Sequence, residues 1–501
     1  MKKILSLILS ACLLLSLTVC AFAAEGAPEG TPPDFPGNPP SGDMPGSPPD
    51  GTPPGDPPDG FGGAGGTPPG DPPDGSGGPG GTPPGGFGGG MPGGSSADID
   101  YAGASEIRSA DSRSGQTYSS TAADESALLI STDAEVSVSD PTVTKTGDSD
   151  GGDKCNFYGL NAAVLVMGGT DTTITGGTVS SDADGANGVF CYGGNGGRNG
   201  AEADGTTLTI RDTVITTTGD GSGGIMTTGG GVTYAYDLDV TTSGRSSAAI
   251  RTDRGGGTVT VDGGSYTSNG LGSPAIYSTA EITVSNATLT SNLSEGVCIE
   301  GLNSITLTDC DLTADNTQCN GNATFLDSIM IYQSMSGDAD SGTSHFTMTG
   351  GSLTSKNGHV FHVTNTNAVI TLEGVTIVNE DEENILLSVC ADGWSGGSNI
   401  AVLTAVGQEL EGTILVGSDS ELTLELTEGS SFTGSFSGDI TNARGDAVSA
   451  GIGRVSVTLD ADSTWTLTAD TSVSEFNGDA ANIIANGHTL YVNGAAVTGT
   501  N

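Results

Sequence analysis

Four consecutive repeats constrain the fold of this chain more than any other feature. They are 26, 26, 23 and 23 residues long and occupy residues 206–231, 232–257, 258–280 and 281–303. Each consists of short alternating runs rich in Val, Ile and Thr, separated by Gly, Asn, Asp and Ser. This pattern predicts strands and turns without helices. Repeats of this length stack along one axis and bury their apolar side chains against their neighbours, so we expect a solenoid.

Strand alternation assigns residues of each repeat to the inside or the outside, because successive side chains point to opposite faces. Three sets recur at matching positions and predict three inward ladders, hence three strands per coil. The first set is Leu208 with Ile210, Tyr234 with Tyr236, Val259 with Val261, Ile282 with Val284, Ile305 with Leu307, and Phe346 with Met348. The second is Val240, Tyr266, Leu289, Leu312 and Leu353, and the third is Phe190, Ile250, Ile276 and Ile299. At about 4.8 Å per coil, we expect an all-β rod of roughly 16 coils.

The repeat T-[VI]-T-[VI]-x-[GN]-[GA]-x-[LY]-T-[ST], followed by A-I, resembles that of the right-handed parallel β-helix, the fold of pectate lyases, polygalacturonases and many adhesins. More narrowly, it is similar to secreted Gly/Thr-rich, adhesin-like β-helix proteins of Gram-positive anaerobic bacteria. The resemblance covers about residues 126–501. It implies the right-handed sense, which periodicity alone does not give. Because solenoids carry many functions, activity has to be argued from a site.

Composition divides the chain into three regions. Residues 1–23 read as a signal peptide, because two lysines precede an apolar run that ends in Ala-Phe-Ala. Residues 24–96 contain GTPPGDPPDG twice, and such a Pro/Gly/Asp-rich segment predicts a disordered spacer. Residues 97–501 form the predicted β-helix domain.

The acidic composition limits the class of partner. The chain carries 60 acidic and 14 basic residues and a net charge of −46. Such a surface repels nucleic acid and anionic membranes. We therefore expect no nucleic-acid partner and no membrane insertion after signal cleavage. The prediction is a secreted, extracellular protein, either free or cell-wall associated, that is a monomer and binds a polysaccharide or a host or cell-surface glycan.

A group of basic residues in an acidic chain suggests a ligand-binding face. Arg245, Arg251 and Arg254 lie within ten positions. Arg251, Tyr277 and Glu300 each follow a predicted inward isoleucine, so they form an expected outward column. Arginine pairs with carboxylates and tyrosine packs on sugar rings, so these five residues are candidate ligand contacts. The alternative is an ordinary structural ladder in which the arginines pair with nearby acids.

Aspartates at predicted turns are candidate calcium ligands. They are Asp148, Asp150, Asp153, Asp182 and Asp184. Their spacing fits neither an EF-hand nor the calcium-binding nonapeptide repeat. Aspartate is also a common turn residue, so solvated turns are the alternative. Calcium is the one cofactor that the sequence suggests.

Histidine and cysteine positions give two further expectations. His359 and His362 lie three apart on a predicted strand, so we expect them on opposite faces. The cysteines that remain after export are expected to be small buried residues, with a local Cys310–Cys319 disulfide as the alternative. These cysteines are Cys155, Cys191, Cys298, Cys310, Cys319 and Cys390.

Two functions from different classes follow. The first is a non-catalytic adhesin, or carbohydrate-binding or matrix-contacting scaffold, and we favour it because no convergent catalytic set is visible. The alternative is a polysaccharide lyase or glycoside hydrolase acting on an acidic polysaccharide. It would use the 245–254 region, or loops at 316–344 and 391–399, as its cleft.

Overall fold

Three long parallel sheets form the protein. The computed structural model describes residues 99–195 and 202–500, so the predicted signal peptide and spacer lie outside the described residues. Each coil up to β30 passes through sheet 1, then sheet 2, then sheet 3, and the strands within each sheet pair with their counterparts in the neighbouring coils. The longest sheet has 15 strands, close to the expected coil number. The predicted all-β parallel β-helix is confirmed.

Strands are numbered along the chain. Sheet 1 contains β1 (Ala102–Ile107), β4 (Glu125–Ser131), β7 (Val164–Met167), β10 (Val189–Tyr192), β13 (Ile225–Thr228), β16 (Ile250–Thr252), β19 (Ile276–Ser278), β22 (Val297–Glu300), β25 (Asp327–Tyr332), β28 (His359–Thr364), β31 (Ile385–Val389), β33 (Glu409–Val416), β35 (Ser431–Ser437), β39 (Thr464–Leu467) and β42 (Ile483–Ile484). Sheet 2 contains β2 (Asp111–Ser114), β5 (Val136–Ser139), β8 (Asp171–Thr175), β11 (Thr207–Arg211), β14 (Gly231–Tyr236), β17 (Gly257–Asp262), β20 (Glu281–Ser285), β23 (Ser304–Thr308), β26 (Thr343–Thr349), β29 (Thr366–Glu373), β32 (Asn399–Val406), β34 (Glu421–Thr427), β38 (Arg454–Leu459) and β41 (Glu475–Asn477). Sheet 3 contains β3 (Thr117–Ser120), β6 (Thr142–Lys145), β9 (Thr178–Ser181), β12 (Val214–Thr217), β15 (Asp239–Thr242), β18 (Ser265–Ser268), β21 (Thr288–Ser291), β24 (Asp311–Ala314), β27 (Ser352–Ser355) and β30 (Thr376–Asn379).

The remaining elements are short. An α-helix, α1 (Asp153–Tyr158), interrupts the passage from sheet 3 to sheet 1, and a 3-10 helix spans Ala480–Asn482. A two-stranded antiparallel sheet pairs β36 (Asp439–Thr441) with β37 (Ala447–Ala450). A three-stranded sheet contains β40 (Thr471–Val473), β43 (Leu490–Val492) and β44 (Ala495–Val497).

The number of strands per coil changes along the rod. Sheet 3 ends with β30, and later coils continue through sheets 1 and 2. Strands β32 and β33 have 8 residues each, whereas many earlier strands have four or five. The prediction of three strands per coil therefore holds up to Asn379.

The core consists of stacked aliphatic ladders. The second predicted ladder is confirmed in register, because Val240, Tyr266, Leu289, Leu312 and Leu353 pair in sequence and are each 0% exposed. The first ladder is wrong in one repeat. There, Thr233 and Ala235 pair with Leu208 and Ile210, and Tyr234 and Tyr236 face outward. The two tyrosines were predicted to point inward because they are large and aromatic, but strand alternation places the smaller Thr233 and Ala235 inside.

The corner between sheets 2 and 3 contains a residue with left-handed backbone geometry in successive coils. Asp212, Asp237, Gly263, Asn286 and Asp309 have φ of 53°, 49°, 77°, 56° and 50°. Glycine, asparagine and aspartate tolerate this region better than other residues. One such residue turns the chain sharply, which explains the Gly, Asn or Asp found there in each repeat.

The corner between sheets 3 and 1 breaks the alternation of side chains. In several coils two consecutive residues both lie in the core, as Ala249 with Ile250, Val360 with Phe361, and Leu386 with Leu387. The residues before and after such a pair therefore both face outward. The third predicted ladder assumed strict alternation through this corner and is therefore wrong at two positions. Ile276 pairs with Val297 rather than Ile299, and Phe190 pairs with Met226 outside the main core.

Candidate functional site

The outer face of sheet 1 is covered by three segments, residues 316–326, 333–342 and 391–398, which we call the roof. The Phe325 ring lies 4.7 Å from the His362 ring. The Trp394 ring lies 4.9 Å from the Tyr332 ring. Arg254 Nη2 lies 2.5 Å from Asp338 Oδ1. These contacts hold all three roof segments against the sheet.

Three of the predicted ligand-binding residues meet beneath this roof. Arg251, Tyr277 and Glu300 are 7%, 3% and 1% exposed. Arg251 pairs with Asp253 at 2.5 Å, and its guanidinium carbon lies 5.3 Å from the centre of the Tyr277 ring. They point away from the core as expected, but the roof separates them from solvent. A glycan would reach them only if the roof moved.

Glu300 is the centre of a closed hydrogen-bond network. Tyr277 and Ser334 donate to its carboxylate, and Tyr332 donates at 3.1 Å. Glu300 is not in the same column as Arg251 and Tyr277, because Cys298 occupies that position and Glu300 lies two residues further along β22. The expected single column is therefore wrong. Its residues still meet, because the long Tyr277 side chain reaches the neighbouring column.

The other two predicted contacts hold the roof in place. Arg245 Nη2 donates to Asn320 Oδ1 at 3.0 Å. Arg254 pairs with Asp338, and its guanidinium carbon lies 4.0 Å from the centre of the Phe157 ring of α1. Arg254 therefore pairs with an acid, as the alternative interpretation expected, whereas the Arg245 contact is with an amide oxygen.

The predicted calcium ligands are spread over neighbouring turns. Asp148 Oδ1 accepts from the Asp184 amide at 3.0 Å, and Asp184 Oδ1 accepts from the Asp220 amide at 2.8 Å. Asp182 accepts from the Thr218 hydroxyl at 2.6 Å. These contacts tie each turn to the next coil.

A surface pocket of about 250 Å³ nearby is lined by Asp150, Asp184 and Asp220, among others. Asp153 begins α1, where burial raises the pKa of its carboxyl. In the described part of the chain, no group of three or more His, Cys, Asp or Glu side chains has the arrangement of a metal site. Calcium binding at the five predicted aspartates stays a prediction.

A second polar cluster beneath the roof was missed by the sequence analysis. His359 and His362 each place Nδ1 2.7 Å from Ser388 Oγ. His362 Nε2 lies 3.4 Å from Asp392 Oδ2, and the Thr324 hydroxyl donates to Asp392 Oδ1 at 2.5 Å. The expectation that the two histidines face opposite sides is wrong, because Val360 and Phe361 between them both point into the core.

The cluster resembles a serine–histidine–aspartate relay in connectivity, but it is closed. Ser388 and His362 are each 0% exposed, and so is the Asp392 side chain. Burial acts to raise the pKa of the Asp392 carboxyl, but the neighbouring His362 imidazole and the hydrogen bonds from Thr324 and the Gly393 amide together lower that pKa. The arrangement therefore binds the roof to the sheet through a charged acceptor. The sequence signal for this cluster is that the two histidines flank the corner between sheets 3 and 1. Because the two residues between them both point inward, the histidine side chains lie on the same outer face.

An open pocket of about 390 Å³ lies at the edge of sheet 2, and we call it the sheet 2 pocket. Its lining residues include Glu281, Leu302, Asn303, Ser304 and His345. Leu302 is 55% exposed. Glu281, Ser304 and His345 occupy the same position in three successive coils. The pocket therefore offers carboxylate, amide, hydroxyl and imidazole groups beside one apolar side chain.

Outward threonines form two rows along the rod. The sheet 2 threonine row comprises Thr260, Thr283, Thr306, Thr347, Thr371 and Thr404, paired coil to coil. The sheet 3 threonine row comprises Thr216, Thr241, Thr267, Thr290, Thr313 and Thr354. Each side chain follows its neighbour at about 4.8 Å. Three members of the sheet 2 row lie two residues beyond pocket residues on the same strands, so the pocket opens onto that row.

The six cysteines agree with the prediction of small buried residues. Within residues 99–195 and 202–500 all of them are free, so Cys310 and Cys319 form no disulfide. Five are buried, and Cys319 is half-buried. Burial raises the pKa of the Cys155 thiol to about 11, so this cysteine stays protonated at neutral pH.

Comparison with known proteins leaves the family of this chain open. No protein-family model, curated protein or solved structure matches it. Among the helices of the described residues, none has the length and apolarity needed to span a membrane.

Proposed function

We propose that the protein is an exported, non-catalytic rod that binds a polysaccharide or surface glycan along sheet 2. The observation that carries the proposal is the sheet 2 pocket opening onto the sheet 2 threonine row. The five residues singled out in the sequence then serve mainly to close sheet 1. The contact face lies on the neighbouring sheet.

The pocket has the chemistry that sugar recognition uses. Glu281, Asn303 and His345 supply hydrogen-bonding groups, and the exposed Leu302 supplies an apolar surface for the C–H face of a ring. Binding sites for small ligands commonly combine a few polar groups with apolar contacts. The pocket volume of about 390 Å³ lies at the lower end of typical ligand sites and suits a short stretch of glycan.

The threonine row suits a polymer rather than a single sugar. It repeats a hydroxyl group over six consecutive coils, a length of about 24 Å at the strand spacing of parallel sheets. A chain lying along it repeats the same weak hydrogen bonds many times. Such repetition raises the effective affinity without any single strong contact.

Charge favours a neutral glycan over an acidic one. The net charge of −46 repels polyanions unless cations screen them. We therefore expect retention on neutral polysaccharides to exceed retention on pectin-like acidic ones, with the difference shrinking as salt is added.

A pull-down with a panel of polysaccharides tests the proposal. Thr283→Val, Thr306→Val and Thr347→Val together remove three sheet 2 hydroxyls. Each lost hydrogen bond is worth about 0.5–1.5 kcal/mol, so binding falls about tenfold or more. The matched control combines Thr290→Val, Thr313→Val and Thr354→Val, which remove three hydroxyls from sheet 3. Equal losses in the two triple variants, or no retention of the wild type on any glycan, would contradict the proposal.

The enzymatic alternative has a different readout. A lyase or hydrolase acting on acidic polysaccharide would release unsaturated or reducing sugars. Its expected cleft at residues 316–344 and 391–399 coincides with much of the roof, beneath which Arg251 and Glu300 are 7% and 1% exposed. Turnover of any polymer, lost in Glu300→Gln or Ser388→Ala, would decide for that alternative.

Export is part of the same proposal. The predicted signal peptide at residues 1–23 and spacer at 24–96 place the β-helix domain outside the cell, free or in contact with the wall. Fractionation of the native cells tests this placement. We expect a monomer in the culture medium or wall fraction whose N-terminus begins near residue 24, and a cytoplasmic, uncleaved chain would contradict it.

A further inference from the structure

Asp327 is a buried acid with no partner. It is the first residue of β25 and is 1% exposed. Neither Oδ1 nor Oδ2 has a hydrogen-bond partner, and both atoms are shielded from solvent. A carboxylate left in this state costs several kcal/mol. The position therefore calls for a group that neutralises the charge and fills the coordination of both oxygens.

Two further oxygen-bearing side chains adjoin Asp327. The Asn316 side chain donates from Nδ2 to the Asp327 carbonyl at 3.0 Å, while its Oδ1 is buried without a partner. Glu295 is 3% exposed and lies two residues before Val297, the register partner of Ile329, just as Asp327 lies two residues before Ile329. Adjacent strands place such side chains about 4.8 Å apart.

The charge around this group is one-sided. In the described part of the chain, neither Asp327 nor Glu295 forms an ion pair with a lysine, arginine or histidine. The electrostatic neighbours of Asp327 are Glu295 and Asp392, both of them acids. Ser294 donates to one Glu295 oxygen, and burial raises the pKa of both carboxyls, so a proton or a bound cation has to offset their charge.

We propose that Asp327, Glu295 and Asn316 bind one calcium ion. Carboxylate and amide oxygens are the ligands of hard cations, and calcium accepts irregular sets of them completed by carbonyls or water. Magnesium fits less well, because it requires near-octahedral geometry and keeps its water. This site is separate from the five turn aspartates named in the sequence and from the sheet 2 pocket.

The cation would act on the roof. Asn316 begins the 316–326 segment, Asp327 follows its end, and Glu295 belongs to the coil beneath. One ion bound by all three joins both ends of the segment to the rod. Calcium removal should therefore loosen this segment while the ladders of the core stay intact.

Calcium titration of the full chain, stripped with a chelator and held at physiological ionic strength, tests the proposal. Wild-type protein is compared with Asp327→Asn, with Asn316→Ala, and with the control Asp311→Asn, which removes an exposed carboxylate of sheet 3. We expect one tight calcium site in the wild type and in Asp311→Asn. We expect that site to be lost in Asp327→Asn and weakened at least tenfold in Asn316→Ala.

Thermal unfolding with and without calcium gives the second readout. Calcium should raise the melting temperature of the wild type and leave that of Asp327→Asn unchanged. Equal calcium stoichiometry in wild type and Asp327→Asn overturns the proposal. So does a higher melting temperature in Asp327→Asn than in the calcium-loaded wild type, because Asp327 is then simply a protonated acid. If Asp327→Asn fails to fold, undiminished calcium affinity in Asn316→Ala overturns the proposal instead.

Discussion

His359 and His362 lie on the same outer side of sheet 1, and the Nδ1 atom of each is 2.7 Å from the same hydroxyl oxygen, that of Ser388. A hydroxyl has one proton, so it donates to one ring and accepts from the other. The second nitrogen of His362 faces Asp392 at 3.4 Å. The relay therefore connects two neighbouring coils to the roof segment 391–398.

The burial of His359 predicts a loss of stability in acid. Burial lowers the pKa of His359 from 6.5 to about 3. Between these values the unfolded chain binds the proton and the folded chain does not, so stability falls as the pH decreases below 6.5. The slope contributed by one such group is at most about 1.4 kcal/mol per pH unit. Chemical denaturation between these pH values should show a shallower slope for His359→Leu than for the wild type, and equal slopes would contradict this account.

The second ladder predicts a large cost for shortening one of its members. Leu289 is 0% exposed and stacks between Tyr266 and Leu312. Leu289→Ala should lower the free energy of unfolding by about 2–5 kcal/mol, because the rod leaves little room to close the cavity. Val214→Ala is the matched control on the outside, since Val214 is 43% exposed, and should cost less than about 0.5 kcal/mol. Similar costs in urea denaturation would contradict the assigned inside and outside.

The tight corner between sheets 2 and 3 predicts an intolerant glycine. Gly264 has φ of 94°, and a Cβ atom there would lie 2.4 Å from the Leu238 carbonyl oxygen. Gly264→Ala therefore adds a backbone clash to conformational strain and should lower the melting temperature strongly. Gly256 has φ of 68° with no atom within 4 Å of the added Cβ. Gly256→Ala should cost only about 1–2 kcal/mol, so equal effects in calorimetry would exclude the clash.

The Arg254–Asp338 pair predicts where the roof opens first. The Asp338 side chain is 7% exposed and that of Arg254 is 15% exposed. Asp338→Asn leaves a largely buried guanidinium without its charged partner, which typically destabilises such a pair by about 3–5 kcal/mol when it is fully buried. Limited proteolysis should cut the 333–342 segment faster in this variant, while exposed Asp340→Asn behaves as the wild type. Cleavage elsewhere in the rod would argue against this role for the pair.

Periodicity carried the fold prediction because the stacked coils repeat one local pattern. Val240, Tyr266 and Leu289 occupy one slot in successive repeats, and any register other than the observed one would expose some of them. The prediction that Tyr234 and Tyr236 point inward is wrong, because the size of a side chain does not determine whether it is buried. The inward residues of that strand are Thr233 and Ala235, and neither stands out as apolar in the sequence.

The site was less predictable because the roof has no period. The path of an irregular segment brings Asp338 to Arg254, although the two residues are 84 positions apart in the sequence. The two consecutive inward residues Val360 and Phe361 break strand parity, so the shared contact of His359 and His362 was hidden. The sheet 2 pocket depends on Leu302 and Asn303 at a corner whose shape no pattern of alternation describes.

Hydroxyl-radical footprinting with and without a retained polysaccharide tests the central claim most directly. Without ligand, Met335 is 62% exposed and should be oxidised readily, whereas Met330, at 3%, should be protected by the roof. With ligand, we expect new protection at Leu302 and His345 in the sheet 2 pocket and no change at Tyr277. Protection of Tyr277, or oxidation of Met330 as fast as Met335, would contradict a closed sheet 1 and a contact face on sheet 2.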